Sequence, residues 1–321
     1  MSSSKNIESP YRFVMVIAGP TGIGKTAFAM ELAEHIPVEI ISADSRQIYR
    51  YMDIGTAKPT PEMRRKVRHH FIDILNPDQE YSAGQFGKDA RTTVEEIVRR
   101  NNFPLVVGGS GLYIRALLEG FFQEDVKDKQ IREQLMNRLQ QEGAHPLYEE
   151  LLRVDPAAAA KTHPNNPRRV IRALEVYYAA GIPLSQLQAS RKDPASFPYL
   201  FLALNMPRKQ LYQRINERVE RMFEQGLVEE VRAILELGYS PKQNALNSVG
   251  YKEVIAYLNK EMNLFECKEL IKQNTRRFAK RQLTWFRGQP NVQWVEVNSP
   301  EDLSQLTKQL INKHYRSHIN G

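Results

Sequence analysis

The sequence predicts an α/β fold: a phosphate-loop parallel sheet core with helices on both faces, and an all-helical insertion domain. Three observations predict it. Short apolar, β-branched runs alternate with helix-patterned stretches over the first ~120 residues, the rhythm of a parallel sheet with crossover helices. A glycine-rich stretch stands between the first such run and the first helix. From residue 123 to residue 190 the strand patterns stop and only helical ones remain.

The first element, Phe13-Val14-Met15-Val16-Ile17-Ala18, is an unbroken apolar run and reads as a buried strand. Gly19-Pro20-Thr21-Gly22-Ile23-Gly24-Lys25-Thr26 then fits the pattern G-x-x-x-x-G-K-[ST] without mismatch, and Ala27 to Ala33 opens a helix. Glycines let the backbone turn so that several N–H groups converge on phosphate oxygens. Lys25 adds a point charge, Thr26 a hydroxyl for phosphate or Mg²⁺, and the helix N-terminus a favourable dipole. A glycine-rich turn without a ligand is the plain alternative. The full pattern between strand and helix points instead to a bound di- or triphosphate.

A second strand, Val38 to Ser42, ends in Ala43-Asp44-Ser45. A helix over 82–100 carries Phe86, Ala90, Val94, Ile97 and Val98 at helical spacing. Pro104 to Val107 is a third strand, stopped by Gly108-Gly109-Ser110-Gly111. Ligands of open parallel sheets lie at the carboxyl ends of the strands, so Asp44 and Ser110 are expected to face the phosphate loop. Asp44 can also be no more than a cap for the residues after it. Helical patterns at 130–142, 146–153 and from Asn166 fill the insertion, and Tyr199 to Asn205 returns to strand. The expected division is 1–122 with 191–321 as the core, and 123–190 as the insertion. A strand at 293–297 and a C-terminal helix close the chain.

With 321 residues, 41% of them hydrophobic, the chain can bury a core. No apolar run nears the ~18 residues of a membrane helix, and Met1 to Glu8 has no signal-peptide core. The lone Cys267 excludes an internal disulfide and fits a reducing cytoplasm. The seven histidines are scattered, which argues against a dedicated zinc site. Nothing asks for an obligate assembly, so a monomer with no membrane association is expected.

Net charge is +8 and the pI about 9.4, and the charge is unevenly placed. In the helix after Pro207, projection at 100° per residue puts Leu211, Ile215, Val219 and Met222 in a buried seam. Glu217, Glu220 and Glu224 take the solvent face. Arg214, Arg218 and Arg221 form a stripe beside the seam, which either covers apolar surface with its stems or offers guanidinium groups to a diphosphate. At Asn166-Pro167-Arg168-Arg169-Val170-Ile171-Arg172, arginines stand in the first turn of a helix, where they oppose its dipole. A bound phosphate backbone explains that placement; an unremarkable surface is the alternative. Between Lys272 and Gly288 there are six basic residues and no acid. Ile271, Phe278 and Trp285 recur every seventh residue as an apolar stripe, with Lys272, Arg276, Lys280 and Arg287 opposite and Arg277 at the edge. Such a helix packs on one face and offers a basic face to a nucleic-acid backbone.

A phosphate loop first suggests a hydrolase or a small-molecule kinase. Val106-Val107 runs into Gly108 without the strand-end carboxylate that such a hydrolase uses for Mg²⁺. The acid is Asp44 instead, placed to hold a metal or act as a base. Kinase, other phosphate-centred transferase and non-catalytic RNA binder remain open at this point.

The chain resembles the tRNA dimethylallyltransferases. The matching stretches are Gly19–Thr26, Ile41–Pro59 (ISADSRQIYRYMDIGTAKP), Tyr81–Phe86, Val106–Gly120, His163–Tyr177, Arg214–Met222, Val249–Glu253 and Lys280–Gly288. The resemblance implies transfer of a dimethylallyl group from its diphosphate to N6 of the adenosine 3′ of the anticodon in tRNA, with Mg²⁺ held at Thr26. It implies that Gly19 to Thr26 hold the isoprenoid diphosphate and that Asp44 is the base. Lys25, Thr26 and Arg218 would neutralise the leaving diphosphate, and Ser110, where many relatives carry Thr, would contact the adenine. Asp44, Ser45, Arg46 and Gln47, then Arg168 to Arg172, then Lys280, Arg281, Gln282 and Arg287 would contact tRNA, with the insertion gripping the anticodon stem-loop.

Overall fold

The computed structural model describes residues 13–120, 126, 128–189 and 193–315. The chain enters as β1 (Val14–Ala18), turns through the glycine-rich loop and continues as α1 (Lys25–Ala33). Next come β2 (Val38–Ala43), α2 (Pro61–Lys66), β3 (His69–His70), α3 (Ala83–Arg99), β4 (Phe103–Gly108) and α4 (Gly111–Glu119). A helical excursion follows through α5 (Lys129–Glu142), α6 (Ala144–Val154), α7 (Pro156–Ala160), α8 (Pro167–Ala180) and α9 (Leu184–Ala189). The chain then returns as β5 (Tyr199–Asn205), α10 (Arg208–Glu224), α11 (Leu227–Glu236), α12 (Tyr251–Leu258), α13 (Leu264–Arg287), β6 (Gln293–Glu296) and α14 (Pro300–Leu310).

The six strands form one all-parallel sheet in the order β3-β2-β4-β1-β5-β6. β1 lies inside it with every residue buried, which is why its sequence shows no alternation. Because β2, β4 and β1 are neighbours, Asp44, Ser110 and the phosphate loop emerge side by side at their carboxyl ends. Met15, Ile17, Phe28, Leu32, Ile40, Leu105, Leu204 and Ile215 are among the residues of the core on the α1 side. No helix among the described residues is long and apolar enough to cross a membrane.

By internal contacts the chain divides into Met1–Leu117 with Ser196–Gly321, and Leu118–Ala195. The helical unit is therefore wider than the 123–190 read from the sequence. Its entering and leaving segments run together: the Ala195 amide donates to the Leu118 carbonyl at 2.9 Å, and Gly120, at φ 72°, sits too close to the Asp193 backbone for a side chain. No local pattern announces that pairing. Inside this unit Leu135, Leu147, Leu151, Ile171 and Leu174 make a core of their own.

Two helices depart from expectation. The seam of α10 is as projected, with Leu211, Ile215, Val219 and Met222 buried, but Glu220, its side chain 40% exposed, is not a free acid on the solvent face. It takes Lys268 at 2.8 Å and Lys272 at 2.6 Å from α13. On α13 the buried residues are Cys267, Ile271, Ala279, Gln282 and Phe286, while Phe278 is 40% exposed. Ile271 lies in the seam and Phe278 outside it, while Trp285 is half-buried with its ring against Gly111. Lys272 and Arg276 face α10, Arg276 donating to Asn216 Oδ1 at 2.6 Å, which leaves Arg277, Lys280, Arg281 and Arg287 exposed.

Candidate active site

Gly22 and Gly24 hold left-handed backbone at φ 84° and 105°, and Gly24 is the N-cap of α1, so the loop closes directly over the helix N-terminus. Lys25 folds back across the loop, its Nζ donating to the carbonyls of Gly19 at 3.0 Å and Pro20 at 2.8 Å. Burial lowers its pKa from 10.5 to about 8, Asp44 acting to raise it and Arg218 to lower it. A cation held this way, short of a full counter-charge, is a receptor for an anion.

Lys25, Thr26 and Asp44 line one cavity of about 50 Å³, together with Ala29, Ile40, Ser42, Gln47, Pro59, His69, Val107 and Gly108. One end of it is polar and charged; Ala29, Ile40, Pro59 and Val107 add apolar wall. Asp44 Oδ1 accepts from the amides of Arg46 at 2.9 Å and Gln47 at 3.4 Å. The carboxylate thus fixes the turn that follows, with no helix there, and its second oxygen has no hydrogen bond among the described residues. Gln47 is held in turn, its Oε1 taking the Ser42 hydroxyl at 3.1 Å and its Nε2 reaching the carbonyls of Thr56 and Ala57.

Arg218 approaches from α10, with Nη2 3.5 Å from the Thr56 carbonyl. Burial lowers its pKa, against the pull of Asp44 upward, and Arg221 lowers it further. Arg214, one turn earlier, reaches the Ile23 carbonyl at 3.5 Å. Of the arginine stripe, Arg214 and Arg218 thus address the phosphate loop and its surroundings, and Arg221 is exposed. Ser110 stands at the end of β4, its amide bonded to the Ala43 carbonyl at 3.0 Å, beside the cavity wall and not in it.

The segments expected to meet tRNA are sorted by their surroundings. Arg168 and Arg169 are exposed on the first turn of α8. Val170 and Ile171 are each only 1% exposed and belong to the core of the helical unit, so their side chains are not surface contacts. Arg172 is tied to Glu175 at 3.3 Å and to the Val126 carbonyl at 2.7 Å. Gln282 is buried as well: its Oε1 accepts from the Thr21 amide and its Nε2 donates to the Gly109 carbonyl, each at 2.9 Å. It braces the phosphate loop against the end of β4.

Sequence reasoning misses a second brace. Glu230 on α11 accepts from three consecutive amides, Asp53 at 2.9 Å, Ile54 at 2.7 Å and Gly55 at 3.1 Å, and from the Tyr251 hydroxyl at 2.6 Å. A Cβ on Gly55 would stand 2.5 Å from the Tyr251 ring. This clamp sets the turn whose Thr56 carbonyl meets both Gln47 and Arg218. The stretch Val249–Glu253 contains Tyr251, but nothing in it points to Gly55.

Residues 47–289 match the IPP transferase family. A tRNA dimethylallyltransferase of Pelotomaculum thermopropionicum is 45% identical over 312 residues, 96% of this chain and 97% of that protein. One from Thermotoga neapolitana is 46% identical over 302 residues, 94% and 98% of the two chains. The crystal structure of the full-length tRNA isopentenylpyrophosphate transferase of Bacillus halodurans superposes with a TM-score of 0.70 at 37% identity, covering 96% of this chain and 99% of that one. A eukaryotic dimethylallyltransferase acting on tRNA superposes at 0.73 with 29% identity, covering 95% and 77%.

Proposed function

The chain belongs to the IPP transferase family, and we propose that it transfers the dimethylallyl group of dimethylallyl diphosphate to N6 of the adenosine 3′ of the anticodon in tRNA. The observation that carries the chemistry is the shared cavity of Lys25, Thr26 and Asp44, with Arg218 within electrostatic reach of Lys25 and Asp44. The loop amides and Lys25 receive the diphosphate, and the apolar wall takes the five-carbon chain. N6 attacks C1 of the allyl group as the C1–O bond breaks, and the bonding electrons leave with the diphosphate. Asp44, through the oxygen not used by Arg46 and Gln47, accepts the N6 proton. Lys25 and Arg218 meet the charge that builds on the leaving oxygens.

The hydroxyl of Thr26 and the carboxylate of Asp44 are hard oxygen donors on one cavity, which suits Mg²⁺. Among the described residues no group of three His, Cys, Asp or Glu side chains gathers to hold a metal, so the ion would arrive with the diphosphate and rest on Thr26. When bound, it supplies charge neutralisation of the leaving group. Arg168 and Arg169 on α8, and Arg277, Lys280, Arg281 and Arg287 on α13, are assigned to the tRNA backbone. The helical unit, Leu118–Ala195, is assigned to the anticodon stem-loop.

The kinase reading is not favoured by the family. The test is incubation with unmodified tRNA, labelled dimethylallyl diphosphate and Mg²⁺, with labelled ATP in a parallel reaction. Label appearing in RNA only from the prenyl donor is the expected outcome. Phosphoryl transfer from ATP with unlabelled RNA would overturn it.

A further inference from the structure

Tyr51 is an exposed tyrosine in the left-handed region, at φ 68°. Glycine adopts that backbone freely, whereas a bulky residue adopts it at a cost. Packing does not require the ring there, because Tyr51 is 46% exposed. Its partner is Tyr239, with ring centroids 6.1 Å apart and planes inclined by 38°. Leu237, two residues before Tyr239, is exposed as well.

The two tyrosines are carried by segments cross-linked on both sides. Ahead of Tyr51, Arg46 donates to the Asn244 carbonyl at 2.8 Å. Beyond it, Glu230 clamps the amides of 53–55 to α11, and the end of α11 delivers Tyr239 after Gly238, itself left-handed at φ 88°. The rings are thus held at a set separation before any partner arrives. Arg46 and Arg50 give their hydrogen bonds to uncharged acceptors: the carbonyls of Asn244 and Asp73, and Asn76 Oδ1. Arg50 and Asp78 both lie within electrostatic reach of Tyr239, and their charges offset. Hydrogen bonds to neutral acceptors leave the Arg46 and Arg50 charges in place, a surround that suits a nucleotide whose base lies on the rings and whose phosphate stays near the cations.

We propose that Tyr51 and Tyr239 form a pre-set stacking platform for an unpaired nucleobase of the substrate RNA. The platform rests on the tRNA reading above and lies on the segment that follows Asp44 to Gln47 in the chain. A nucleobase is the occupant because every base offers a π-face to an exposed aromatic ring, and stacking tolerates any sequence. The strain at Tyr51 then has a return that the fold alone does not give it.

Tyr51→Gly separates the readings, since it removes the ring and relieves the backbone together. Binding of a fluorescent, unmodified anticodon stem-loop to the full chain is measured directly for the parent, Tyr51→Gly, Tyr239→Ala and Tyr51→Phe, alongside melting temperature and steady-state kinetics. Tyr51→Gly and Tyr239→Ala are expected to weaken RNA binding roughly fivefold to a hundredfold, the range that loss of one stacked base allows. The KM for dimethylallyl diphosphate stays within about twofold, as expected for residues outside its site. Tyr51→Phe keeps the π-face and stays near the parent, and Tyr51→Gly melts no lower. Parent-like RNA binding by Tyr51→Gly would overturn the platform. So would self-association of the parent that Tyr51→Gly abolishes, which would assign the patch to a second copy. If the parent binds RNA without prenylating it, the proposed activity fails while a loss of binding in Tyr51→Gly still supports the platform.

Discussion

The two ends of β2 carry one acid each, and the structure treats them oppositely. Glu39, near the amino end, is 3% exposed and fully answered: Arg100 grips it in bidentate fashion at 2.8 and 2.9 Å, Asn102 donates at 2.7 Å and His70 Nε2 lies at 2.7 Å. Asp44, just past the carboxyl end, has two backbone amides on one oxygen and no cation bonded to it, although Lys25 and Arg218 stand within reach. At Glu39 the counter-charges are bonded and the cluster holds the sheet edge together. At Asp44 they are present but uncommitted, as the proposed receipt of an anion and a proton requires. One strand thus separates stability from chemistry by about five residues, which at ~3.3 Å each is some 16 Å.

The largest expected effect breaks the chemical end. Asp44→Asn, which keeps the Oδ1 acceptor for the Arg46 and Gln47 amides and removes the base, should lower turnover by about 10²–10⁴, the usual range for a positioned base, with tRNA affinity and melting temperature little changed. Near-normal turnover would reduce Asp44 to the turn-fixing role of its Oδ1. At the other end the readouts exchange. Glu39→Ala leaves Arg100 and His70 facing a vacated, buried position and should cost about 3 kcal/mol in chemical denaturation, with kcat per folded molecule retained.

The same contrast has a pH form. Hydrogen bonds from Arg100, Asn102 and His70, opposing the burial penalty, bring Glu39 down from 4.5 to about 2. Its contribution to stability is therefore complete above about pH 4.5 and is lost as pH falls toward 2. An acid titration of stability should show this limb in the parent and not in Glu39→Gln. Lys25, at about 8 in the free protein, behaves the other way for binding. Above pH 8 it loses the charge that meets the diphosphate, so kcat/KM for dimethylallyl diphosphate should fall, approaching tenfold per pH unit. The linked stability runs opposite: with the folded value below the unfolded 10.5, the unfolded chain binds more protons and stability rises over that window. Lys25→Met should be slow and flat across it. A limb that persists in Lys25→Met would assign the titration to another group.

The chemical end is largely legible in the sequence because its signals are local. An unbroken apolar run, eight residues of loop pattern and a carboxylate just past a second strand are each read within a few positions. The braces are not legible. Glu230 and Gly55 are 175 residues apart, and Gln282 and Thr21 are 261 apart, so only the folded chain shows that they meet. Val170 and Ile171 enter the tRNA-contacting set because the resemblance implies the whole segment from Arg168 to Arg172. Helical spacing separates them, since they share a face with Leu174 and not with Arg168 and Arg169.

The smallest expected effects come from the exposed basic residues, and here the structure redraws the variants to be made. On α13 an acid-free sequence suggests one basic face, but Arg276 and Lys272 are committed to Asn216 and Glu220 of α10. Arg276→Ala should therefore loosen the packing of α10 on α13 and lower the melting temperature, with no change in the salt dependence of tRNA binding. Arg277→Ala with Lys280→Ala removes two exposed charges that make no hydrogen bond or ion pair among the described residues. If both meet tRNA phosphates, the slope of log K against log salt should flatten by somewhat under one for each phosphate no longer neutralised, with the melting temperature unchanged. Arg168→Ala with Arg169→Ala should do the same on α8 and raise stability slightly, because two charges that oppose the helix dipole are gone. Affinity for dimethylallyl diphosphate should not move in either pair, its charge being assigned in the proposed function to Lys25 and Arg218. Parent-like slopes in both pairs would make these residues a solvated surface and leave the grip on RNA to the Asp44–Gln47 turn and its neighbours.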